Sequence, residues 1–571
     1  MYSAVNHMTR KQPYRKIHNN EIEWTVLDEY SSLIPGELVE KIRDLNSCPE
    51  CCVIRENNVR VSLFITLPEN KEVIFVKRYK CRGFMDIFKY FFFTSKASSE
   101  WKNMNQFLKK GIPVAPPLAK GEKRRFNCLL DSYLVTKAFV NARPLNSFVK
   151  EYLDAGKASD ALLKRRLLIK KLALLVQKIH GEGFFYRDLH AGNILVLENN
   201  SDDPQLYPID FHKVWCLKKV PILMRIRDLA QLKNSLSASR TDQMMFLQEY
   251  AKECPSFLSN LKVNARRVER KADKLLRVHL KSRTKRCLIE SSEFAVKRNR
   301  RQSLYYNKGY SEKFITDIIK AYHNTLSNGE HKVLKNTSKE IVSVVTIKHD
   351  GKELKVLVKE SKYKGLLSRL RHMLYKSRAR KCWFAARGLK VRGIATPSAL
   401  ALIEKRKLSI PSQNMLLTEF INHSFELNDY VLKNFKKTLS PSEAFKKEQF
   451  VKEFAQKLRD LHEKGIYHAD LKSNNILVKE KIGGGWTFYF IDLDRVAFKR
   501  QLSFRQRSNN LAQINASIAD CICFSDRLKF FKTYAFGTLV IKQKKRYYQR
   551  ILEISRRKIT QPYGITFSSK A

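Results

Sequence analysis

A chain of 571 residues that is 43% hydrophobic and 11% aromatic can fill globular cores, which excludes a disordered tract and leaves room for two to four domains. Lys and Arg number 109 against 55 Asp and Glu, a formal +54, and so large an excess calls for an anionic partner: nucleic acid, a membrane surface or a phosphorylated substrate. No apolar run reaches the ~18 residues a membrane span needs, and the first twenty residues lack the apolar core of a signal peptide, so a soluble, cytoplasmic chain is expected.

In chain order, Cys48, Cys51 and Cys52 form the one cysteine cluster among eleven cysteines. No second CxxC follows nearby, so reduced structural thiols are expected over a zinc site. Residues 72–77 (EVIFVK) read as a short strand ending in Lys77. Residues 78–96 mix cations with aromatics at helix-like spacing. They suit either an anionic membrane, with Phe inward and Lys/Arg on phosphates, or packing on a small lobe. Glu100 falls on the next helix. Thr136-Lys137 follows an apolar strand (SYLV). A helix over 165–181 ends at His180 and Gly181, and His180 reads as structural. Next come Asp188 and Asn193 in a loop, a strand at 194–196, and a second short strand ending in Asp210.

Each landmark recurs 282 positions later: Asp188 at Asp470, Asn193 at Asn475, Asp210 at Asp492, Lys77 at Lys359, Thr136 at Thr418, His180 at His462. A register kept over so long a stretch means two copies of one domain without net insertion. We expect copy one over 1–255, a basic helical linker over 256–285, and copy two over 286–571. The linker contains most of residues 262–286, which carry 11 Lys/Arg with interleaved Val and Leu. It reads as a basic amphipathic helix or as a solvated interdomain helix.

The repeated set suits phosphoryl transfer. A loop carboxylate (Asp188, Asp470) accepts the proton of an attacking hydroxyl. An amide five residues on (Asn193, Asn475) and a carboxylate at a strand end (Asp210, Asp492) offer oxygens to a divalent metal. A strand lysine (Lys77, Lys359) meets ATP phosphates, and Glu100 would hold the first of them. The position equivalent to Glu100 in copy two is Cys382. The backbone at Thr136-Lys137 and Thr418-Glu419 is the candidate adenine hinge. His190 and Lys472, two residues beyond each base, face the transferred group, Lys472 being better suited to charge stabilisation.

GFFYRDLHAGNILV with PIDFH, and GIYHADLKSNNILV with FIDLD, resemble the lipopolysaccharide core kinase family, the Kdo and heptose kinases of Gram-negative bacteria, within the protein-kinase-like fold. SKASSEW followed by GIPVAPPLA, and SRARKCW followed by GIATPSALA, match too. The resemblance implies an α+β fold of two tandem bilobal domains. It implies transfer of the ATP γ-phosphate, with Mg²⁺ or Mn²⁺, to a sugar hydroxyl of lipid A–core at the inner face of the cytoplasmic membrane. Asp188 and Asp470 would then be bases, Asn193, Asp210, Asn475 and Asp492 metal ligands, and Lys77 and Lys359 phosphate-binding. Lys137, Glu419, His190 and Lys472 complete the nucleotide and phosphoryl set.

Departures from a protein kinase are plain. No G-x-G-x-x-G precedes either lysine, the DFG glycine is His212 or Asp494, and no APE follows. Only 18 residues separate Asp210 from Asp228, which suits a glycolipid or small acceptor over a peptide. A protein Ser/Thr kinase, a small-molecule kinase and a membrane- or nucleic-acid-binding scaffold built on dead kinases stay open, although intact metal ligands speak against the scaffold and nucleic acid is not the expected partner. Copy one has the full set. Copy two lacks the helix Glu, and is either competent or a nucleotide-binding pseudokinase. Acceptor hydroxyl and oligomeric state are not legible.

Overall fold

The computed structural model describes residues 14–19, 21–34, 51–57, 59–67, 71–81, 83–154, 159–198, 203–236, 238–328, 333–337, 340–363, 376–407, 410–435 and 439–560. The chain divides into two compact units, residues 1–276 and 277–571.

Each unit begins with an antiparallel seven-stranded sheet. In the first it is built from β1 (Tyr14–Asn19), β2 (Ile22–Leu27), β3 (Cys51–Glu56), β4 (Arg60–Thr66), β5 (Val73–Lys80), β6 (Pro117–Arg125) and β7 (Cys128–Lys137), in the order β1-β2-β6-β7-β5-β4-β3. Alternation explains β5. Ile74 and Val76 face the sheet's own core with Val61, Leu63 and Val135, which sends Lys77 and Tyr79 to the opposite face. Two helices are inserted between β5 and β6: α1 (Phe84–Phe92) and α2 (Lys96–Lys109). Ser95 caps α2 by accepting from the Ser98 N–H. Its buried face, Ala97, Glu100, Trp101, Met104 and Phe107, follows helical spacing, so Glu100 is carried inward by the same period that packs the aromatics.

After β7 come the helices α3 (Leu145–Asp154) and α4 (Ser159–Gly181), then short strands at Ile194–Leu197 and Gln205–Pro208, then α5 (Ile222–Ser235). Leu172, Val176, Ile179, Leu189, Phe211 and Leu229 form a second, mainly helical core, which also takes Trp101 and Phe107 of α2. A sheet core and a helical core in one unit make a two-lobed α+β domain.

The second unit repeats the sheet and the helical core, and it also carries a helix at Glu312–Asn328. Its sheet strands run in the same relative order. Pro117–Arg125 becomes Ala399–Lys407, Cys128–Lys137 becomes Ile410–Glu419, Lys96–Lys109 becomes Arg378–Val391, Ser159–Gly181 becomes Pro441–Glu463 and Ile222–Ser235 becomes Phe504–Ser517, every bound displaced by the sequence register. Even the voids repeat. Leu145, Leu168, Leu172 and Leu229 line an apolar cavity of about 440 Å³, and their counterparts Leu427, Phe450, Phe454 and Leu511 line one of about 460 Å³.

The basic helix is Leu261–Lys285. It is more than a solvated rod, because Val268 and Ala272 are buried in the first unit's helical core and the Ala272 carbonyl accepts from Asn234. Among the described residues no helix is long and apolar enough to cross a membrane. The expected reduced thiols hold at nine cysteines and fail at Cys51, which is disulfide-bonded. The aromatic stretch at 84–93 is helical over Phe84–Phe92. Much of its counterpart in the segment 360–378 lies outside the described residues.

Candidate active site

In the first unit β5 and α2 bring a lysine and a carboxylate together. Lys77 Nζ donates to Glu100 Oε1 at 2.6 Å, and both side chains are buried. Tyr79 Oη donates to the other oxygen, Glu100 Oε2, at 2.7 Å, and the Phe211 N–H reaches Oε1 at 3.2 Å. A buried carboxylate with three donors is well compensated, and removing any one donor leaves charge exposed to a low dielectric.

Asp210 stands beside this pair. Lys77 Nζ is 3.5 Å from its Oδ1, Arg60 Nη1 3.6 Å and His212 Nδ1 3.1 Å. Burial alone would raise its pKa. The His212 hydrogen bond and the charges of Lys77 and Arg60 outweigh that and hold the carboxyl far below the ordinary range. It is therefore an anion at any working pH. Its backbone is left-handed, φ 72°, and Asp492 repeats this at φ 57°. A non-glycine residue in that region is strained, and the same strain in both copies marks the position as a functional candidate.

The loop before the strand Ile194–Leu197 supplies the rest. Asn193 Nδ2 donates to the Asp188 carbonyl at 3.0 Å, which fixes the amide and turns its oxygen away from that contact. The Asn193 carbonyl accepts from Ile209 N–H at 2.9 Å, so Asn193 and the strand end at Asp210 are tied by backbone. Asp188 Oδ2 accepts from Lys213 Nζ at 2.6 Å. The half-buried His190 packs its ring beside Gly192, where a Cβ would approach it to 3.2 Å. Oxygen donors at Asn193 and Asp210 suit a hard divalent cation. Glu100, Asp210 and His212 also present ligand atoms within 4.8 Å of one another, but Glu100 is already committed to Lys77 and Tyr79.

At the expected hinge the backbone donors are engaged within the protein. Lys137 N–H donates to the Pro116 carbonyl and Glu419 N–H to the Ser398 carbonyl. These donors are spent within the sheets, as are those of the next residues, Ala138 N–H to the Val73 carbonyl and Phe420 N–H to the Lys355 carbonyl. The Lys137 side chain pairs with Glu72 at 2.7 Å.

The second unit assembles the same loop with a different lysine environment. Asn475 Nδ2 donates to the Asp470 carbonyl at 2.7 Å, and Ile491 N–H to the Asn475 carbonyl at 3.0 Å. Lys472 Nζ lies 3.8 Å from Asp470. Lys359 Nζ binds Asp492 at 2.7 Å and lies 3.5 Å from Glu340, which also accepts from Lys335. Cys382 cannot act as the lysine's carboxylate, and burial pushes its thiol up to about 12. Glu340 therefore takes over part of that role from the strand Glu340–His349. Sequence reasoning missed Arg60, Lys213 and Glu340. Arg60 and Glu340 lie on strands far from any motif, and only the pairing of β4 with β5, or of Glu340–His349 with Lys352–Lys362, brings them to the lysine.

Beneath each loop a buried histidine serves as a strut. His180 Nδ1 contacts the Tyr250 hydroxyl at 2.9 Å and His462 Nδ1 that of Tyr534 at 2.7 Å. Burial, helped by Arg507, pushes His462 down to about 3. An unfolded histidine titrates near ~6.5, so the unfolded state takes up the proton first. The stability this neutral histidine contributes is complete above that value and is lost as pH falls toward 3. Between pH ~7 and ~4.5 we expect a loss of roughly 2 kcal/mol from this group. Urea midpoints of His462→Gln should show a shallower pH slope than the parent over that window, and equal slopes would refute the assignment.

A strand lysine facing an Asp–Asn loop and a strand-end Asp recurs in both units, clamped by a helix carboxylate in the first, and defines each as a protein-kinase-like domain. The chain belongs to the lipopolysaccharide kinase (Kdo/WaaP) family, whose model matches residues 50–250 and again residues 336–534, and it is accordingly a kinase. A search of curated proteins finds no match. Among solved structures it is similar to one titled WaaP in complex with acyl carrier protein, at 21% identity over 46% of this chain and 99% of that one, with a TM-score of 0.34. It is also similar to the BubR1 kinase domain, at 8% identity over 47% of this chain and 89% of that one, with a TM-score of 0.26.

Proposed function

We propose that the first unit transfers the γ-phosphate of ATP to a sugar hydroxyl of the lipopolysaccharide core, a heptose or a Kdo, at the cytoplasmic face of the inner membrane. The observation that carries the catalytic part is the buried Lys77–Glu100 pair set against Asp210. It fixes a cation beside the carboxylate that, with Asn193, would hold the metal, where it would meet triphosphate oxygens. Bound there, Mg²⁺ or Mn²⁺ would neutralise the phosphate oxygens. Asp188 orients and deprotonates the acceptor hydroxyl, and Lys213 holds its carboxylate in place. The acceptor class comes from the family. The short stretch between Asp210 and α5 supports it, since it gives a peptide little to bind.

A second reading applies to the second unit alone. Lys359 meets Asp492 and Glu340 where the first unit has a buried helix carboxylate. That supports nucleotide binding with slower turnover, or none.

The test is labelled-ATP transfer by the full chain, with lipid A–core and a general protein acceptor offered side by side in Mg²⁺ or Mn²⁺. Label in the glycolipid is expected. Label in protein alone would replace the sugar reading with a Ser/Thr kinase, and label in neither would move the search to small-molecule acceptors.

A further inference from the structure

Among the described side chains, α1 buries Tyr90 and exposes its other aromatics. Tyr90 is buried, and its carbonyl accepts from Arg124 at 3.4 Å, which pins the helix beside the β6–β7 turn. Phe88, Phe91, Phe92 and the following Phe93 face water, 48% to 67% exposed. Phe92 stands edge-on to Phe88 and Phe91, with ring centroids 5.4 and 5.1 Å apart, so the cluster is already assembled. At the tip of the β6–β7 turn Phe126 is 87% exposed, with the Arg125 guanidinium 5.6 Å from its ring.

Exposed aromatics clustered in this way mark an interaction site. Its rim decides what binds. Lys89 and Arg125 are exposed around the aromatics, Arg124 lies beneath them, and Asp86 is the acidic group in the first turn of α1. Aromatic tips ringed by cations match the headgroup–acyl boundary of an anionic bilayer. The helix has 9 residues, far short of a span, so the contact is interfacial.

We propose that this face docks the first unit on an anionic membrane, with Phe88, Phe91, Phe92, Phe93 and Phe126 seated among the lipids and Lys89 and Arg125 on their phosphates. The inference deepens the glycolipid reading and rests on it for its purpose. In the chain, α1 joins the strand of Lys77 to the helix of Glu100, so docking here holds the phosphate-binding pair close to a lipid-borne acceptor.

Full-length protein is sedimented with vesicles of phosphatidylcholine alone or mixed with phosphatidylglycerol, without ATP. The parent is expected to bind the mixed vesicles, and the triple variant Phe88→Ser/Phe91→Ser/Phe92→Ser to bind them at least about tenfold more weakly, with unchanged melting and unchanged ATP turnover on a soluble acceptor. Phe92→Trp should add a fluorescence signal quenched by brominated acyl chains, which surface attraction by charge alone would not give. Equal vesicle binding by parent and triple variant, or an indole signal in the Phe92→Trp variant that brominated chains leave unquenched, would overturn the proposal. So would lipid-free self-association that the triple variant abolishes while vesicle binding persists, because a second copy would then cover the face. Vesicle binding without glycolipid phosphorylation would remove the acceptor assignment and leave the docking surface standing.

Discussion

Asp188→Asn, made in an Asp470→Asn background, lowers kcat for glycolipid phosphorylation by roughly 10²- to 10⁴-fold, the usual contribution of a positioned general base. The substitution is isosteric. The loop is held by a backbone contact, the Asp188 carbonyl to Asn193 Nδ2, which an amide side chain does not disturb. What disappears is the charge paired with Lys213 and the site that takes the hydroxyl proton. The nucleotide pair Lys77–Glu100 is untouched, so KM for ATP should stay within about twofold while kcat falls. Asp470→Asn alone partitions the copies. Unchanged turnover assigns the second unit to nucleotide binding, and a fall shows a working second site. Full activity in the double variant would eliminate both bases.

Much of this site was legible because the motif residues are close in sequence and said twice. Asp188, Asn193 and Asp210 sit in one loop–strand–strand stretch, so their mutual approach needs no long-range folding. The Lys77–Glu100 pair was legible for a different reason. Strand alternation and helical period independently fix which face each side chain takes, and the two faces meet. The missing pieces were those that depend on strand register. Arg60 reaches Asp210 only because β4 pairs Arg60 with Tyr79 on β5, and no spacing in the sequence encodes that. Glu340 is the same case in the second copy. The hinge reading named two strand ends without their hydrogen bonds, because which N–H a sheet consumes follows from the strand beside it. The disulfide at Cys51 escaped because a lone cluster is compatible with thiols, zinc or a bridge.

Asp228→Ala should lose roughly 2–4 kcal/mol from the first unit and cripple its catalysis as well, although Asp228 lies beneath the loop and outside the phosphoryl set. Asp228 is fully buried. Its Oδ2 accepts from Tyr186 N–H at 2.8 Å and its Oδ1 from Arg187 N–H at 3.0 Å, and His180 Nε2 lies 3.4 Å away. Arg187 sits at φ 68°, a conformation it holds against a cost of about 1–2 kcal/mol. Two converging N–H groups need an acceptor, and the strain of Arg187 is what points both at Asp228. Removing the carboxylate orphans them and frees the turn one residue before Asp188. The second copy shows the other solution. Asn510 stands at the equivalent place and donates to the His468 carbonyl at 2.6 Å, while Gln513 holds Ala469 and Leu471 through both ends of its amide. There the loop presents a carbonyl, so an amide serves, and Ala469 is not among the residues with positive φ. Asp228→Asn should therefore fail to rescue the first unit, because whichever oxygen its N–H₂ replaces, that end would meet a backbone N–H donor, of Tyr186 or of Arg187. Thermal melting and kcat of Asp228→Ala and Asp228→Asn decide the matter: recovery of both quantities in the Asn variant would show that shape, not acceptor charge, holds the catalytic loop.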